Sequence, residues 1–299
     1  MDCSIIIVNY NTKTITNDCI ESVKKFTEDI NYEIILVDNA STDDSPAFFS
    51  EMEDIIFIQS PENIGFGRAN NLGAEKARGE FLFLLNSDTV LIENSVKKLL
   101  GFFRNKEAEL NIGSLGCVLV DKEMNYNGCG SHFTSCAEEI DNYKKIIPGM
   151  KYLLRGKTEV PFPLEKKFFE IDYVIGADLM IRNRVFTDMG GFDKDFFMYY
   201  EESDLQYRMK KAGYHAYVYT DTKIIHLEDG SGKEIKNYSN KKRIITHTSK
   251  NLFLKKNDPG NFGKYRLWDM FFLFINKFNT RYTAQERKNY ENAVKRTLV

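Results

Sequence analysis

The chain lacks most of the signatures that would assign it to a specialised protein class. Its five cysteines, Cys3, Cys19, Cys117, Cys129 and Cys136, are odd in number and none stands in a CxxC pair. That excludes a disulfide framework and a zinc site and leaves buried, reduced thiols. No stretch approaches the roughly 20 uninterrupted apolar residues of a membrane-spanning helix. No basic leader or cleavage site precedes the strand-like Ile5-Ile6-Ile7-Val8, so the expected location is the cytoplasm. Internal repeats and low-complexity tracts are missing as well.

What is present is enough apolar residue for a sizeable core: 42% of 299 residues are hydrophobic and 13% aromatic. The formal net charge of −2 hides an asymmetry. Residues 1–232 carry 25 Lys+Arg against 38 Asp+Glu, a balance of −13, whereas residues 233–299 carry 16 against 5, a balance of +11. We therefore expect an acidic main domain over 1–232 and a basic α-helical extension over 233–299. Such an extension attracts anionic surfaces: phospholipid headgroups, a lipid diphosphate or nucleic acid. No nucleic-acid motif accompanies the charge, so a nucleic-acid partner is not expected.

Over the first 120 residues, apolar β-branched runs alternate with helical patterns. Cys3–Asn9, Glu33–Asp38, Ile55–Ile58, Phe81–Leu85 and Leu115–Val120 read as strands; Thr12–Phe26, Asp43–Met52, Gly67–Ala77 and Glu93–Phe103 read as helices. This rhythm predicts an α/β fold with a mostly parallel sheet and right-handed crossovers. Residues 121–170 lose the rhythm and read as a surface excursion forming a flap. Regular structure resumes over Asp172–Ile181, in a helix over Ser203–Ala212 and in strands over Ala216–Tyr219 and Lys223–His226. Helices are predicted over Ser239–Lys256, Gly263–Lys277 and Thr283–Arg296.

Ligands of such sheets sit at the carboxyl ends of the strands, which here carry Asn9-Tyr10-Asn11, Asp38-Asn39 and Asn86-Ser87-Asp88. Ser41, Thr42 and Asp43 serve equally well as turn and cap residues. In the run Asn63 to Gly73, which includes Arg68 and Asn70, Gly65 and Gly67 open a helix whose free amides can face a phosphate. These glycines follow the third strand and the third glycine is out of register, which argues against a dinucleotide-binding dehydrogenase.

Asp88 is placed to ligate Mg²⁺ or Mn²⁺, and Asn86 points the same way without charge. One anionic ligand holds a cation poorly. His226, which ends a strand before the loop Leu227-Glu228-Asp229-Gly230-Ser231-Gly232, is the best second ligand, although a lone histidine more often has a structural role. An imidazole ligand favours Mn²⁺ over Mg²⁺. Glu201-Glu202-Ser203-Asp204 begins a helix, and capping accounts for Ser203 and Asp204. The preceding run Phe196 to Tyr200 is an environment that raises a carboxyl pKa toward base strength.

Taken together, these elements resemble the inverting family 2 glycosyltransferases of the GT-A fold, and among them the rhamnosyltransferase-like branch of bacterial cell-surface polysaccharide synthesis. The resemblance covers roughly residues 3–232 and includes Gly176-Ala177, Gly190-Gly191-Phe192-Asp193 and Arg208. It implies that Asp38 hydrogen-bonds a pyrimidine base, that Asp88 and His226 hold the metal on the donor diphosphate, and that Asn9, Tyr10, Asn11, Asn39, Asn63, Gly65, Arg68, Asn70, Asn86, Gly176 and Ala177 line the nucleotide-sugar site. Glu202 falls where the family has its base aspartate, and the adjacent Glu201 stays open for that role. Asn86 and Glu202 both depart from the family's usual aspartates. The processive synthases' QxxRW signature is missing, which implies one sugar per encounter. The implied donor is dTDP-L-rhamnose or a UDP-hexose; the acceptor is a saccharide or a polyprenyl-diphosphate-linked saccharide.

Leu267 to Ile275 is apolar except for Asp269 and is flanked by Lys264, Arg266, Lys277 and Arg281. It suits the headgroup region of the inner face of the cell membrane, and equally a dock on the catalytic domain or on a second copy in a homodimer. Two other readings compete with the enzyme. A nucleotidyltransferase needs a Gly-rich basic loop after the first strand, where this chain has Asn9-Tyr10-Asn11-Thr12. A catalytically silent GT-A module that binds a sugar or an assembly partner would keep the fold, with Asn86 as the trace of a lost site.

Overall fold

A computed structural model describes residues 1–146, 162–227 and 238–298. In chain order the elements are β1 (Cys3–Asn9), α1 (Lys13–Phe26), β2 (Tyr32–Asp38), α2 (Ser45–Ser50), β3 (Ile56–Gln59), α3 (Phe66–Ala74), β4 (Phe81–Asn86) and β5 (Thr89–Leu91). There follow α4 (Ser95–Leu110), β6 (Ile112–Val120), β7 (Tyr126–Gly128), β8 (Gly130–Ser131), α5 (Cys136–Ile146), β9 (Phe168–Ile171), β10 (Tyr173–Val174) and β11 (Asp178–Arg182). The last are α6 (Asn183–Asp188), α7 (Glu201–Lys211), β12 (His215–His226), α8 (Tyr238–Asn257), α9 (Pro259–Asn276) and α10 (Ala284–Thr297). The chain forms two compact units: Met1–His132 with Pro163–Phe197 and Glu201–Ile235, and Phe133–Phe162 with Met198–Tyr200 and Lys236–Val299. The expected boundary after Gly232 lies outside the described residues.

In the first unit the main sheet runs β3-β2-β1-β4-β11-β6-β12-β5, with β7 beside β6 and β9 beside β12. β1 pairs in parallel with both β2 and β4, and β2 with β3. The central strands are apolar almost throughout because little of them meets water: Cys3 to Ile7, Ile34 to Asp38 and Phe81 to Leu85 are all buried. Each such Ile, Leu or Phe contributes about 1.5–3 kcal/mol by burial. Helix α3 packs on β1 and β2. Gly73 permits that approach, since a Cβ there would lie 2.6 Å from Ile6 Cγ2. The third glycine of the Asn63–Gly73 run is thus a packing residue.

The parallel order is interrupted by β11, which runs antiparallel to both β4 and β6. Its first residue pairs with Leu85, so the turn before β11 lies beside the end of β4. The segments expected as two strands, Ala216–Tyr219 and Lys223–His226, form one strand, β12. Its pairing with β6 shifts register between His215 and Ala216 and again between Tyr219 and Lys223, and Thr220 to Thr222 form the irregularity that broke the pattern. The expected excursion over 121–170 contains β7, β8, α5 and β9; residues 147–161 lie outside the described residues.

In the second unit α5, α8, α9 and α10 converge on one carboxylate. Tyr143 Oη donates to Asp269 Oδ1 at 2.5 Å, His247 Nε2 lies 2.8 Å from the same oxygen, and Asn251 Nδ2 donates to Oδ2 at 3.1 Å. Asn251 accepts from Tyr265 at 2.6 Å and donates to Thr297 at 3.0 Å, while His247 Nδ1 lies 2.5 Å from Tyr290 Oη. Helix α9 begins at Pro259, four residues before the expected Gly263, because proline suits the first turn. Helix α10 opens with a capping box between Thr283 and Glu286.

Burial opposes ionisation of Asp269, but His247, Tyr143 and Asn251 outweigh it and hold the carboxyl below its ordinary value. A depressed folded pKa contributes stability above the unfolded pKa near 4, lost as pH falls through the lower folded value. Asp269→Ala should therefore lower stability by about 3 kcal/mol at neutral pH, the cost of leaving buried partners unpaired. Urea unfolding at pH 7 and pH 3 checks both statements, with the gap between native and variant narrowing at the lower pH.

Candidate active site

At one corner of the sheet β4 ends at Asn86 and β5 begins at Thr89, with Asp88 in the turn between them. His226 ends β12 opposite Thr89, and Leu227 N donates to Asp88 O at 2.9 Å. These pairings bring His226 Nε2 to 3.3 Å from Asp88 Oδ1, with the two side chains 14% and 15% exposed. The pair is partly open to solvent. A hard divalent cation wants six or more donors, and among the described residues no group of three His, Cys, Asp or Glu could supply them. Asp88 and His226 alone fall short of that number. Glu228 to Gly232, the loop expected to close over the substrate, lies outside the described residues.

The acidic pair opens α7. Its helix is clamped against rotation: Gln206 accepts from Ser114 at 2.7 Å and from Val174 N at 2.8 Å, and returns a bond to Val174 O at 2.8 Å. Arg208 is held by Asp204 at 2.8 Å and donates to the carbonyls of Met189 and Gly191. Asp204 and Arg208 are thus anchors of the helix. Glu201 is buried and lies against α3, its Cβ and Cγ each 3.3 Å from where a Cβ on Gly67 would sit. Glu202 starts from a different position, its Cβ 3.8 Å from a Cβ built on Gly176. Burial raises both carboxyls, and the charge of Glu202 raises Glu201 further. Their Oε2 atoms are buried and have no hydrogen-bond partner among the described residues.

The segment Gly176-Ala177 joins the two groups. Ala177 O accepts a hydrogen bond from Asn86 N at 3.0 Å, so the turn that carries Asp88 and the residue that faces Glu202 are neighbours.

The remaining expected residues lie along the ends of β1, β2 and β3. Asn11, at φ +56°, laces the β1 and β2 loops by accepting from Thr42 N at 2.6 Å. Asn39 and Asn63 clasp each other at 3.0 Å, and each accepts from a backbone amide of the loop before α3, Ile64 and Gly65 respectively. Gly65, at φ +86°, leaves room for Phe197 O, which would lie 2.1 Å from an added Cβ. Arg68 is exposed and donates to Lys194 O at 2.7 Å, whereas Asn70 is buried and bonds its own helix through Phe66 O. Tyr10 is half-buried at the β1 loop.

Asp38, the expected contact of a pyrimidine base, is held by its neighbours. It is 0% exposed, with one oxygen accepting from Asn9 Nδ2 at 2.7 Å and the other from Ser41 N at 2.9 Å. Asn9 is buried too, its carbonyl oxygen taken by Thr12 and Thr16. Both side chains brace the loops at the ends of β1 and β2.

The Glycosyl transferase family 2 profile matches residues 4–127, which contain β1 to β6 and Asp88. Over those residues the chain is similar to the family 2 glycosyltransferases. Glycosyltransferase GlyG of Streptococcus pneumoniae is 32% identical over 115 residues, 37% of this chain and 38% of that one. The hexosyltransferase Agl10 of low-salt glycan biosynthesis in Haloferax volcanii is 26% identical over 216 residues, 70% and 62% of the two chains. The N-acetylglucosaminyl-diphospho-decaprenol L-rhamnosyltransferase of Mycobacterium tuberculosis is 25% identical over 214 residues, 64% and 66%. The chain thus spans less than two thirds of the length of each of these relatives. Among solved GT-A structures, GalNAc-T7 with UDP, GalNAc and Mn²⁺ matches 86% of this chain and 48% of its own with a TM-score of 0.58 at 16% identity. TarS 1-349 of S. aureus with UDP matches 98% and 79% with a TM-score of 0.50 at 14% identity. These likenesses establish the GT-A fold.

The first unit holds one further ionisable residue at this corner that sequence reasoning passed over. Asp178, the first residue of β11, is fully buried beside the buried Cys117. Its Oδ2 accepts from Cys117 N at 2.6 Å, and its Oδ1 has no partner among the described residues. Burial pushes its carboxyl up to about 7, against the pull of the Cys117 bonds and of nearby His226. The available signal was an aspartate in the otherwise apolar run Ala177 to Ile181. A raised folded pKa means that stability falls as pH rises from about 4, where the unfolded carboxyl ionises, to about 7. Asp178→Asn should flatten that slope, whose full size is up to about 4 kcal/mol. Denaturant unfolding at pH 5 and pH 8 checks it, with an unchanged slope counting against a buried, protonated Asp178.

Proposed function

We propose that the protein is a metal-dependent inverting hexosyltransferase. It moves a sugar from a nucleotide diphosphate, dTDP-rhamnose or a UDP-hexose, to a hydroxyl of a saccharide or lipid-linked saccharide acceptor. The observation that carries this reading is a chain of neighbours: Asp88 pairs with His226, Asn86 two residues before it bonds Ala177 O, and the adjacent Gly176 lies by the Cβ of Glu202. The likeness to a glycan-biosynthesis hexosyltransferase and to an N-acetylglucosaminyl-diphospho-decaprenol L-rhamnosyltransferase supports a role in cell-envelope polysaccharide synthesis.

Asp88 and His226 would hold Mn²⁺ or Mg²⁺, which when bound neutralises charge on the departing diphosphate. Glu202 takes the proton of the acceptor hydroxyl. The freed oxygen attacks the anomeric carbon from the face opposite the nucleotide, the new C–O bond forms as the old one breaks, and the bonding pair leaves with the diphosphate. Asn11, Asn39, Asn63 and Gly65 shape the rim on which the nucleotide rests, with Asn9 and Asp38 behind them. The orientation of Glu201 toward α3 and of Glu202 toward Gly176 favours Glu202 as the base. Residues 233–299 form a basic appendage that keeps the enzyme peripheral on the inner face of the membrane, where a polyprenyl-diphosphate acceptor resides.

Calorimetry with UDP and dTDP in the presence of Mn²⁺, together with turnover on a panel of nucleotide sugars, tests the assignment. Asp88→Ala should abolish metal-dependent nucleotide binding. Glu202→Gln should keep that binding and lower kcat by about a hundred- to ten-thousand-fold, the range of a lost general base. Normal turnover by Glu202→Gln would remove Glu202 from the reaction, and nucleotide binding without turnover of any donor would make the domain a silent sugar-binding module.

The raised Glu202 carboxyl also predicts a pH limb. The base works only when ionised, so kcat/KM should climb with pH through a value above the ordinary glutamate pKa near 4.3. A profile already flat at pH 5 would contradict a buried base.

A further inference from the structure

Helix α9 has its polarity reversed. Its inward face carries Asp269 and Asn276 beside Phe262, Tyr265 and Leu273, all buried. Its outward face carries Leu267, Met270, Phe271, Phe274 and Ile275, with Phe278 just past the helix end. Leu267 is 67% exposed, Phe274 56% and Phe278 73%. At about 100° per residue, Leu267, Met270, Phe271 and Phe278 fall within about 60° of Phe274 and form one stripe. A contiguous apolar stripe of this kind on a protein surface marks a docking site.

We propose that this face of α9 lies in the headgroup layer of an anionic phospholipid bilayer. Exposed Lys264 and Arg266 project about 80° to either side of Phe274, and exposed Lys277 about 60° away, so cations border the stripe on both flanks. An apolar stripe between cationic flanks is the design of a helix that lies in the membrane plane, apolar side chains among the acyl chains and ammonium groups at the phosphates. Among the described residues no helix is long and apolar enough to cross a membrane, and 18-residue α9 rests on the surface. A second copy is the poorer occupant. A two-fold contact would set the +11 balance of residues 233–299 against an identical charge.

This inference deepens the proposed function and rests on it only for its purpose, delivery to a lipid-linked acceptor; vesicle binding is read without turnover, so the two readings fail separately. The full chain is floated with vesicles of phosphatidylcholine alone and of phosphatidylcholine with phosphatidylglycerol, and its oligomeric state is measured by light scattering. Binding to the anionic vesicles should exceed that to the neutral ones by about ten-fold or more. The exposed triple substitution F271S/F274S/F278S should cost about ten-fold in bound fraction with an unchanged circular dichroism spectrum and melt. Lys264→Glu with Arg281→Glu should reduce the preference for anionic lipid. Equal binding to both vesicles, no binding, or native-like binding by the triple variant would overturn the proposal. So would a native dimer that the triple variant splits, which would make a second copy the occupant.

Discussion

One backbone hydrogen bond, from Asn86 N to Ala177 O at 3.0 Å, ties the two halves of the candidate site together. It forms because β11 enters the sheet antiparallel to β4 and starts where β4 stops. Had the chain continued the parallel rhythm of β1, β2 and β4, that strand's beginning would lie at the opposite edge of the sheet from the ligand end. The reversal puts Gly176 beside Glu202 and sets Asp178 behind the Asp88–His226 corner. Chemistry drawn from β4, β11, α7 and β12 is thereby gathered in one place.

The electrostatics divide along the same line. Exposed Glu80 and half-buried Asp2 and Glu107 pair with Arg104 and Arg182 and serve the surface. The carboxyls of Glu201, Glu202 and Asp178 are buried, raised by desolvation and left with unpartnered oxygens. A fold tolerates such costs where binding or catalysis uses them. The clamps of Gln206 and Arg208 on α7 explain how the domain can hold two raised glutamates at a helix start without rotating them into solvent.

The helical unit spends its polar groups inside. Asp269 on α9 is satisfied by Tyr143 of α5 and by His247 and Asn251 of α8, which α10 holds through Tyr290 and Thr297, and α9 turns its phenylalanines outward. The inward network and the outward apolar stripe are two sides of one arrangement. Once Asp269 and Asn276 face in, the spacing of Leu267, Phe271, Phe274 and Phe278 obliges them to face out.

Much was legible in the residues themselves. Ile5 to Val8, Ile34 to Val37 and Phe81 to Leu85 are strands because runs of large apolar residues this short can be buried only as covered strands, and polar residues at their carboxyl ends mark the ligand edge. Asp88, Glu202 and His226 were recognisable by residue type and order, and their separation in sequence said nothing of distance. Only the tertiary structure decided which glutamate faces Gly176, because adjacent helical residues point about 100° apart and the clamps on α7 choose the rotation. It also decided that Asp38 is a brace, since a side chain's exposure depends on what packs over it, here Asn9 and Ser41. Local pattern thus determined the elements and the candidate chemistry, while orientation, burial and pairing arose from contacts between residues far apart in the chain, which no local signal encodes.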